Sequence, residues 1–261
     1  MRILRLSRIV GAGALLSTML PVAASREAAP ILGGTPAPEH RSVVYLWRKS
    51  MDCTGTLVGG RLFVTAAHCV PATAEQRVFV TNEALGERRV SSCVRHRAFA
   101  DLVPYFDVAV CEIEGEVGAV PTSVLAAAVE VPGDVTYVGY GPTTVPEAGT
   151  PGAAGITPAR TSGAGRVASV REGTLLVEGP GTIAGDSGGP VFVGTGPERG
   201  AIAGVLSCSS GMERRPRAVD LTNVANGTWV RRCLRDFAAC RQGERRPSSR
   251  VPDTARPLCG D

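Results

Sequence analysis

The sequence is poor in residues that bind metal ions. It contains three histidines, His40, His68 and His96, among 261 residues, and no two cysteines are separated by two positions. Zinc sites in proteins normally use closely spaced cysteines and histidines. We therefore expect neither a metal ion nor a cofactor.

The sequence also lacks a basic region in its main body. The net charge is +4; residues 1–10 contribute +3 and residues 231–261 contribute +4, so that residues 11–230 carry −3. A protein that binds nucleic acid normally presents a basic face, and we expect no nucleic-acid partner. The charged C-terminal tail is interpreted as a solvated end, with contact to an anionic surface as the alternative.

Long uncharged hydrophobic runs are absent except at the N-terminus. Residues 9–25 follow three arginines and end in the small residues Ala23, Ala24 and Ser25, which are typical of a cleavage site. A membrane anchor is the alternative, but the run is short and weakly apolar for a span. We predict a signal peptide over residues 1–25, a secreted or periplasmic protein, and no stable membrane anchor.

The composition favours a loop-rich β protein. Hydrophobic residues make up 44% of the chain, which is enough for a core, and there are 32 glycines and 19 prolines. The length fits one large domain or two small barrels that share a cleft. Short apolar runs bounded by turn residues predict strands at 43–47, 56–58, 62–66, 77–80, 108–113, 135–140, 174–177, 191–193 and 201–207. Residues 141–165 lack any period and predict a long surface loop, while apolar spacing of three and four predicts a helix over 226–239.

Three segments carry reactive side chains. Residues 185–190 read Gly-Asp-Ser-Gly-Gly-Pro, and glycines around Ser187 allow a tight turn that exposes its hydroxyl. His68 ends an apolar strand, and Asp107 opens another. A serine needs a nearby base to become a nucleophile, and that base needs a carboxylate to orient it. Each residue alone has a structural interpretation as a turn or core residue, but the three together favour nucleophilic catalysis.

These segments resemble the trypsin/chymotrypsin family of serine peptidases, and in particular a secreted member of bacterial type. The similarity covers residues 31–230 and rests on Ile-Leu-Gly-Gly at 31–34, Thr-Ala-Ala-His-Cys at 65–69, Asp-Val-Ala-Val at 107–110, Gly-Tyr-Gly at 139–141 and the segment 185–190. The resemblance implies an all-β fold of two six-stranded antiparallel Greek-key barrels with a C-terminal helix. It places a pro-segment at 26–30, the first barrel at 31–125, the second at 126–230, and a helix with an arginine-rich tail at 231–261.

The resemblance also implies the role of each reactive residue. Ser187 attacks a peptide carbonyl, His68 takes and returns the proton, and Asp107 orients His68. The backbone N–H groups of Gly185 and Ser187 form an oxyanion hole, in which one donor is typically worth about 3–4 kcal/mol to the transition state.

Activation in such a family pairs a freed N-terminal ammonium with a buried aspartate, here Ile31 and Asp186. Pro30 precedes Ile31, where the family usually has Arg or Lys, so activation by a trypsin-like cut is not expected. We expect instead a cut after Arg26 and removal of residues 27–30 as two dipeptides.

The specificity pocket departs from that of trypsin. The resemblance assigns Gly181, Thr182, Ser207, Ser209 and Val219 to substrate binding. Gly at 181 leaves a cationic side chain without a counter-charge, and Ser209 narrows the pocket mouth. These residues predict a preference for small uncharged side chains. A glutamate-specific pocket is the alternative, but it needs a further histidine near Leu206, which the sequence lacks.

The eight cysteines predict disulfides, since an exported chain reaches an oxidising compartment. Cys53 and Cys69 match the family's disulfide beside the histidine, and Cys93 can pair with Cys111. Three pairings stay open for the remaining four, Cys208, Cys233, Cys240 and Cys259. A free thiol at Cys208 is the competing alternative.

The function predicted from the sequence is that of a cofactor-free serine endopeptidase that acts through an acyl-enzyme. The expected partners are protein or peptide substrates and protease inhibitors. Two alternatives remain: a catalytically inactive protease-like binding module, and an esterase that uses the same three side chains.

Overall fold

The computed structural model describes residues 31–48, 51–71, 77–99, 104–141, 159–194, 200–210 and 214–244. The predicted signal peptide and pro-segment, and the tail beyond residue 244, lie outside these residues. Within the described chain no helix is long and apolar enough to cross a membrane.

Six antiparallel strands close the first barrel in the order β2-β3-β4-β7-β6-β5. Its interior is filled by fully buried apolar side chains such as Leu57, Phe63 and Val80. A two-residue strand, β1, precedes them in the chain. The strands are β1 (Thr35–Pro36), β2 (Val43–Arg48), β3 (Met51–Gly59), β4 (Leu62–Thr65), β5 (Phe79–Thr81), β6 (Arg88–Arg95) and β7 (Ala109–Ile113).

Six further antiparallel strands form a second barrel, which closes because the first and last strands of their sheet also pair with each other. Its strands are β8 (Gly133–Gly139), β9 (Thr161–Arg171), β10 (Thr174–Glu178), β11 (Pro190–Val193), β12 (Ile202–Ser210) and β13 (Arg215–Asp220). β8 pairs with both β9 and β11, while β1 adds to the edge of β9. Thus residues 35–36, which the sequence assigned to the first barrel, pair with the second.

The architecture confirms the predicted all-β fold of two closed six-stranded antiparallel barrels. The prediction of a loop over 141–165 was wrong at its end, because β9 begins at Thr161; residues 142–158 lie outside the described chain. Strands β6 and β13 were not predicted from the sequence. β13 reads Arg-Pro-Arg-Ala-Val-Asp, in which charge and proline hide the strand pattern.

The C-terminal helix is two helices, α1 (Val224–Arg235) and α2 (Phe237–Glu244). Asn223 caps α1 by accepting the Asn226 N–H over 2.9 Å. The helices separate at Asp236, whose backbone leaves the helical region while its carboxylate accepts the Ala239 N–H over 2.8 Å. An aspartate that caps a second helix ends the first one, so the single predicted helix breaks there.

Candidate active site

A short 3₁₀ turn after β4 holds the predicted general base. His68 lies in the turn Ala67–Cys69, and its backbone N–H donates to Asp107 Oδ1 over 2.9 Å. Its ring Nδ1 lies 2.7 Å from Asp107 Oδ2. Because a carboxylate only accepts, Nδ1 carries the proton and Nε2 is left as the basic nitrogen.

Asp107 is fully buried between a second 3₁₀ turn, Pro104–Phe106, and β7. Besides the two donors from His68, it accepts a hydrogen bond of 2.6 Å from Ser207 Oγ. Three donors therefore compensate the cost of burying this carboxylate. His68 keeps 19% of its side chain exposed, so that its outer nitrogen faces the cleft.

The predicted nucleophile, Ser187, lies between β10 and β11 of the second barrel. Its hydroxyl donates to the Ser207 carbonyl over 3.4 Å. Ser207 thus contacts both Ser187 and Asp107. Among the described residues there is no hydrogen bond between Ser187 Oγ and His68 Nε2. Cys69 Sγ lies between the two residues, 3.7 Å from His68 Nε2 and 3.6 Å from the backbone carbonyl oxygen of Ser187.

In the serine turn, which we define as residues 185–190, the N–H groups of two residues have no acceptor in the described part of the protein. Within the described chain, the N–H groups of Asp186, Gly188 and Gly189 donate to Ile183, Leu206 and Asp186 carbonyls. Those of Gly185 and Ser187, the two predicted oxyanion donors, do not. Gly185 has a φ of +104°, a conformation that favours glycine.

A pocket of about 180 Å³ opens beside Ser187. Of the predicted substrate-binding residues, Thr182, Ser207 and Ser209 line it. Gly181 and Val219 are not among its described lining residues; Val219 is fully buried in β13. Four further lining residues were not predicted from the sequence, namely Ile183, Ala184, Leu206 and Cys208.

The predicted activation pair is not joined in this chain. The Ile31 N–H donates to Thr161 Oγ1 over 3.0 Å, and the Ile31 side chain is fully buried. The Asp186 carboxylate accepts the N–H groups of Gly141 and Ile183, each over 2.9 Å. Burial raises the pKa of Asp186 to about 6, against the lowering effect of these two N–H donors.

Three disulfides are described: Cys53–Cys69, Cys93–Cys111 and Cys233–Cys240. Cys208 is also disulfide-bonded, so the alternative of a free thiol at that position is wrong; Cys259 lies outside the described residues. In the described chain, the cluster with metal-ligand spacing is Cys53, His68 and Cys69. Its two sulfurs form a disulfide, which leaves no thiolate to bind a metal.

Comparison with known protein families matches residues 31–227 to the trypsin family. The chain therefore belongs to the trypsin family of serine peptidases, which confirms the predicted family. A search of curated proteins gives no significant match.

Among solved structures, 1192 chains match significantly. One is mouse neuropsin, described as a serine protease expressed in the limbic system of the brain. It is 21% identical, with a TM-score of 0.63, over 78% of this chain and 100% of the neuropsin chain. This likeness supports the fold.

Proposed function

We propose that this protein is a secreted serine endopeptidase in which Ser187, His68 and Asp107 form the catalytic triad. The observation that carries the proposal is the pair of bonds around the histidine, in which buried Asp107 accepts both the backbone N–H and the ring Nδ1–H of His68. This arrangement leaves Nε2 free to accept a proton. Membership of the trypsin family supports peptide-bond hydrolysis as the reaction.

In the proposed mechanism, the Ser187 hydroxyl gives up its hydrogen bond to the Ser207 carbonyl and donates to His68 Nε2 instead. Its oxygen then attacks the substrate carbonyl. The proton passes to Nε2 and then to the leaving amine, which gives an acyl-enzyme. A water molecule then attacks the acyl-enzyme, with His68 again as the base, and hydrolysis of the ester releases the acid and restores Ser187. The N–H groups of Gly185 and Ser187, which have no acceptor among the described residues, are available to stabilise the oxyanion. Catalytic hydrogen bonds are often long or unformed before substrate binds.

A preference for small uncharged side chains is supported by the pocket. Its volume is about 180 Å³, and Thr182, Ser207 and Ser209 supply its hydroxyl-bearing wall. Asp186 is the one charged residue among the described lining residues, and its carboxylate is bonded to two backbone N–H groups. Reporters ending in Ala or Val should be cleaved faster than those ending in Arg or Glu. Equal or faster cleavage of the charged reporters would refute this preference.

A fluorophosphonate probe tests the triad directly. The protein is labelled, digested and mapped by mass spectrometry, with His68→Ala and Ser187→Ala as matched variants. Labelling only at Ser187, lost in both variants, together with peptide turnover, is the expected result. Ester turnover without peptide turnover would identify an esterase. Silence from a form that begins at Ile31 would identify an inactive binding module.

Secretion and the remaining assignments are tested separately. The predicted signal peptide, residues 1–25, and pro-segment, residues 26–30, lie outside the described chain. N-terminal sequencing of exported protein should find Ile31 as the first residue, and a different start would reject the predicted processing. Bacterial origin and binding of protease inhibitors stay predictions, and peptide substrates follow from the family.

A further inference from the structure

Thr54, the residue after Cys53 in β3, contacts the serine turn through both its backbone and its side chain. Its N–H donates to the Ser187 carbonyl over 2.7 Å. Its hydroxyl donates to the Gly185 carbonyl over 2.8 Å. A single residue of the first barrel therefore holds the carbonyls on both sides of Asp186.

Thr54 is itself fixed by its surroundings. It is fully buried. Its hydroxyl accepts the N–H of Tyr140, just beyond β8 of the second barrel, over 3.0 Å, and its carbonyl accepts the Thr65 hydroxyl over 2.7 Å. The hydroxyl is thus used as donor and as acceptor at once, which fixes its rotamer.

The turn also packs tightly against this residue. A Cβ at Gly188 would overlap the Thr54 carbonyl oxygen and the Thr65 hydroxyl. Gly188 also has a φ of +85°, where a side chain is strained. The serine turn therefore rests against Thr54 with no space to shift towards the first barrel.

We propose that Thr54 is a positioning residue for the oxyanion hole. Its backbone and hydroxyl immobilise the Gly185 and Ser187 carbonyls, and this orients the neighbouring N–H groups of the same two residues towards the cleft. The inference rests on the proposed function. The new element is that the geometry of the oxyanion hole depends on a side chain of the first barrel. This dependence applies to the intact chain, in which Asp186 has no ammonium group to pair with.

Thr54→Val removes the hydroxyl and keeps the shape, and the chain offers a matched control. Thr56 lies two residues further along the same strand, is equally buried, and has a hydroxyl that makes no hydrogen bond to any residue the structure describes. Thr56→Val therefore makes the same chemical change without touching the serine turn. Thr54→Ser is the conservative variant, which keeps the hydroxyl and removes only the methyl group.

The expected result is a kcat lower by about 10- to 100-fold in Thr54→Val, with KM changed by less than about threefold, because donors aimed at the oxyanion act on the transition state. A peptide boronic acid, whose adduct with Ser187 is tetrahedral, should bind more weakly by a similar factor. Thr56→Val should match the wild type, and Thr54→Ser should recover most of the activity. Thermal unfolding of each variant separates these effects from loss of folded protein.

Failure of this inference differs from failure of the proposed function. A wild-type protein that neither labels at Ser187 nor turns over peptide refutes the function. An active wild type with Thr54→Val equal to Thr56→Val, an effect on KM alone, or no recovery in Thr54→Ser overturns the positioning role. If Thr54→Val does not fold, Thr54→Ala gives the same comparison. If neither folds while Thr56→Val does, the hydroxyl serves the fold and the proposal is also overturned.

Discussion

The backbone nitrogen of Ile31 donates to Thr161 Oγ1 over 3.0 Å and makes no bond to Asp186. In the intact chain this nitrogen is an amide and carries no charge. Asp186 is 1% exposed and bonds to N–H groups of Gly141 and Ile183. In the part of the chain that is described, no ion pair reaches Asp186. The buried carboxylate therefore lacks the cation that a freed N-terminus at Ile31 would supply.

Release of Ile31 should increase activity. A chain with a cleavable segment placed directly before Ile31 gives a free ammonium after cutting. We expect kcat/KM to rise by at least about tenfold, because pairing a buried carboxylate recovers a free energy of the order of several kcal/mol. Peptide turnover before and after cutting measures this. A form that begins at Leu32 is the control and should stay at the intact level. Equal activity in the intact and Ile31 forms would show that the pair does not form.

The stability of the intact chain should fall as the pH rises past the pKa of Asp186. Burial raises that pKa from 3.8 to about 6, so the folded state holds the proton to higher pH than the unfolded state. The stabilisation is complete below the ordinary carboxyl pKa and is lost as the pH rises through about 6. It amounts to something of the order of 3 kcal/mol. Urea unfolding of Ser187→Ala at pH 4 to 7 measures the slope without self-cleavage.

Asp186→Asn in the same Ser187→Ala background supplies the control. It cannot ionise and should lose this slope. His40 contributes a slope of the opposite sign. Its pKa is lowered, mainly by burial, so its contribution to the free energy of unfolding increases as the pH rises. The difference between the two proteins cancels the His40 contribution. Parallel curves would contradict the prediction.

Loss of the Asp107 charge should slow the chemical step. In Asp107→Asn the amide no longer accepts at both oxygens, so His68 loses the tautomer that leaves Nε2 basic. We expect kcat to fall by a factor of the order of 10⁴. Steady-state kinetics measures this, with the exposed Asp134→Asn as a matched control. A fall smaller than about tenfold would remove Asp107 from the triad.

Ser209→Gly should widen the pocket mouth. Ser209 lines the pocket beside Ser187, and removing its side chain admits larger substrates. We expect the ratio of kcat/KM for Phe over Ala reporters to rise by about tenfold, which corresponds to about 1.4 kcal/mol of differential binding. Ser209→Ala keeps the Cβ and should change the ratio far less. An unchanged ratio in Ser209→Gly would place the size limit elsewhere in the pocket.

Local sequence patterns were sufficient to predict those strands that consist of contiguous apolar residues. β7 reads Ala-Val-Cys-Glu-Ile, and four of its five residues are buried, so composition alone indicates a core strand. β9 contains Gly163 and Gly165, whose positions are tightly packed against Tyr137. Those glycines predicted a loop, because a packing requirement from a neighbouring strand cannot be read from local sequence.

The sequence by itself determined which side chains we propose as catalytic. His68, Asp107 and Ser187 stand in segments whose glycines, apolar flanks and adjacent cysteine mark them individually. Only the tertiary structure decided what holds them: Ser207 reaches Asp107 across 100 positions of the chain, and Thr54 reaches Gly185 across 131. Such contacts depend on how the two barrels pack against each other. In the sequence, a threonine whose hydroxyl holds a distant carbonyl cannot be distinguished from a threonine whose hydroxyl makes no such contact.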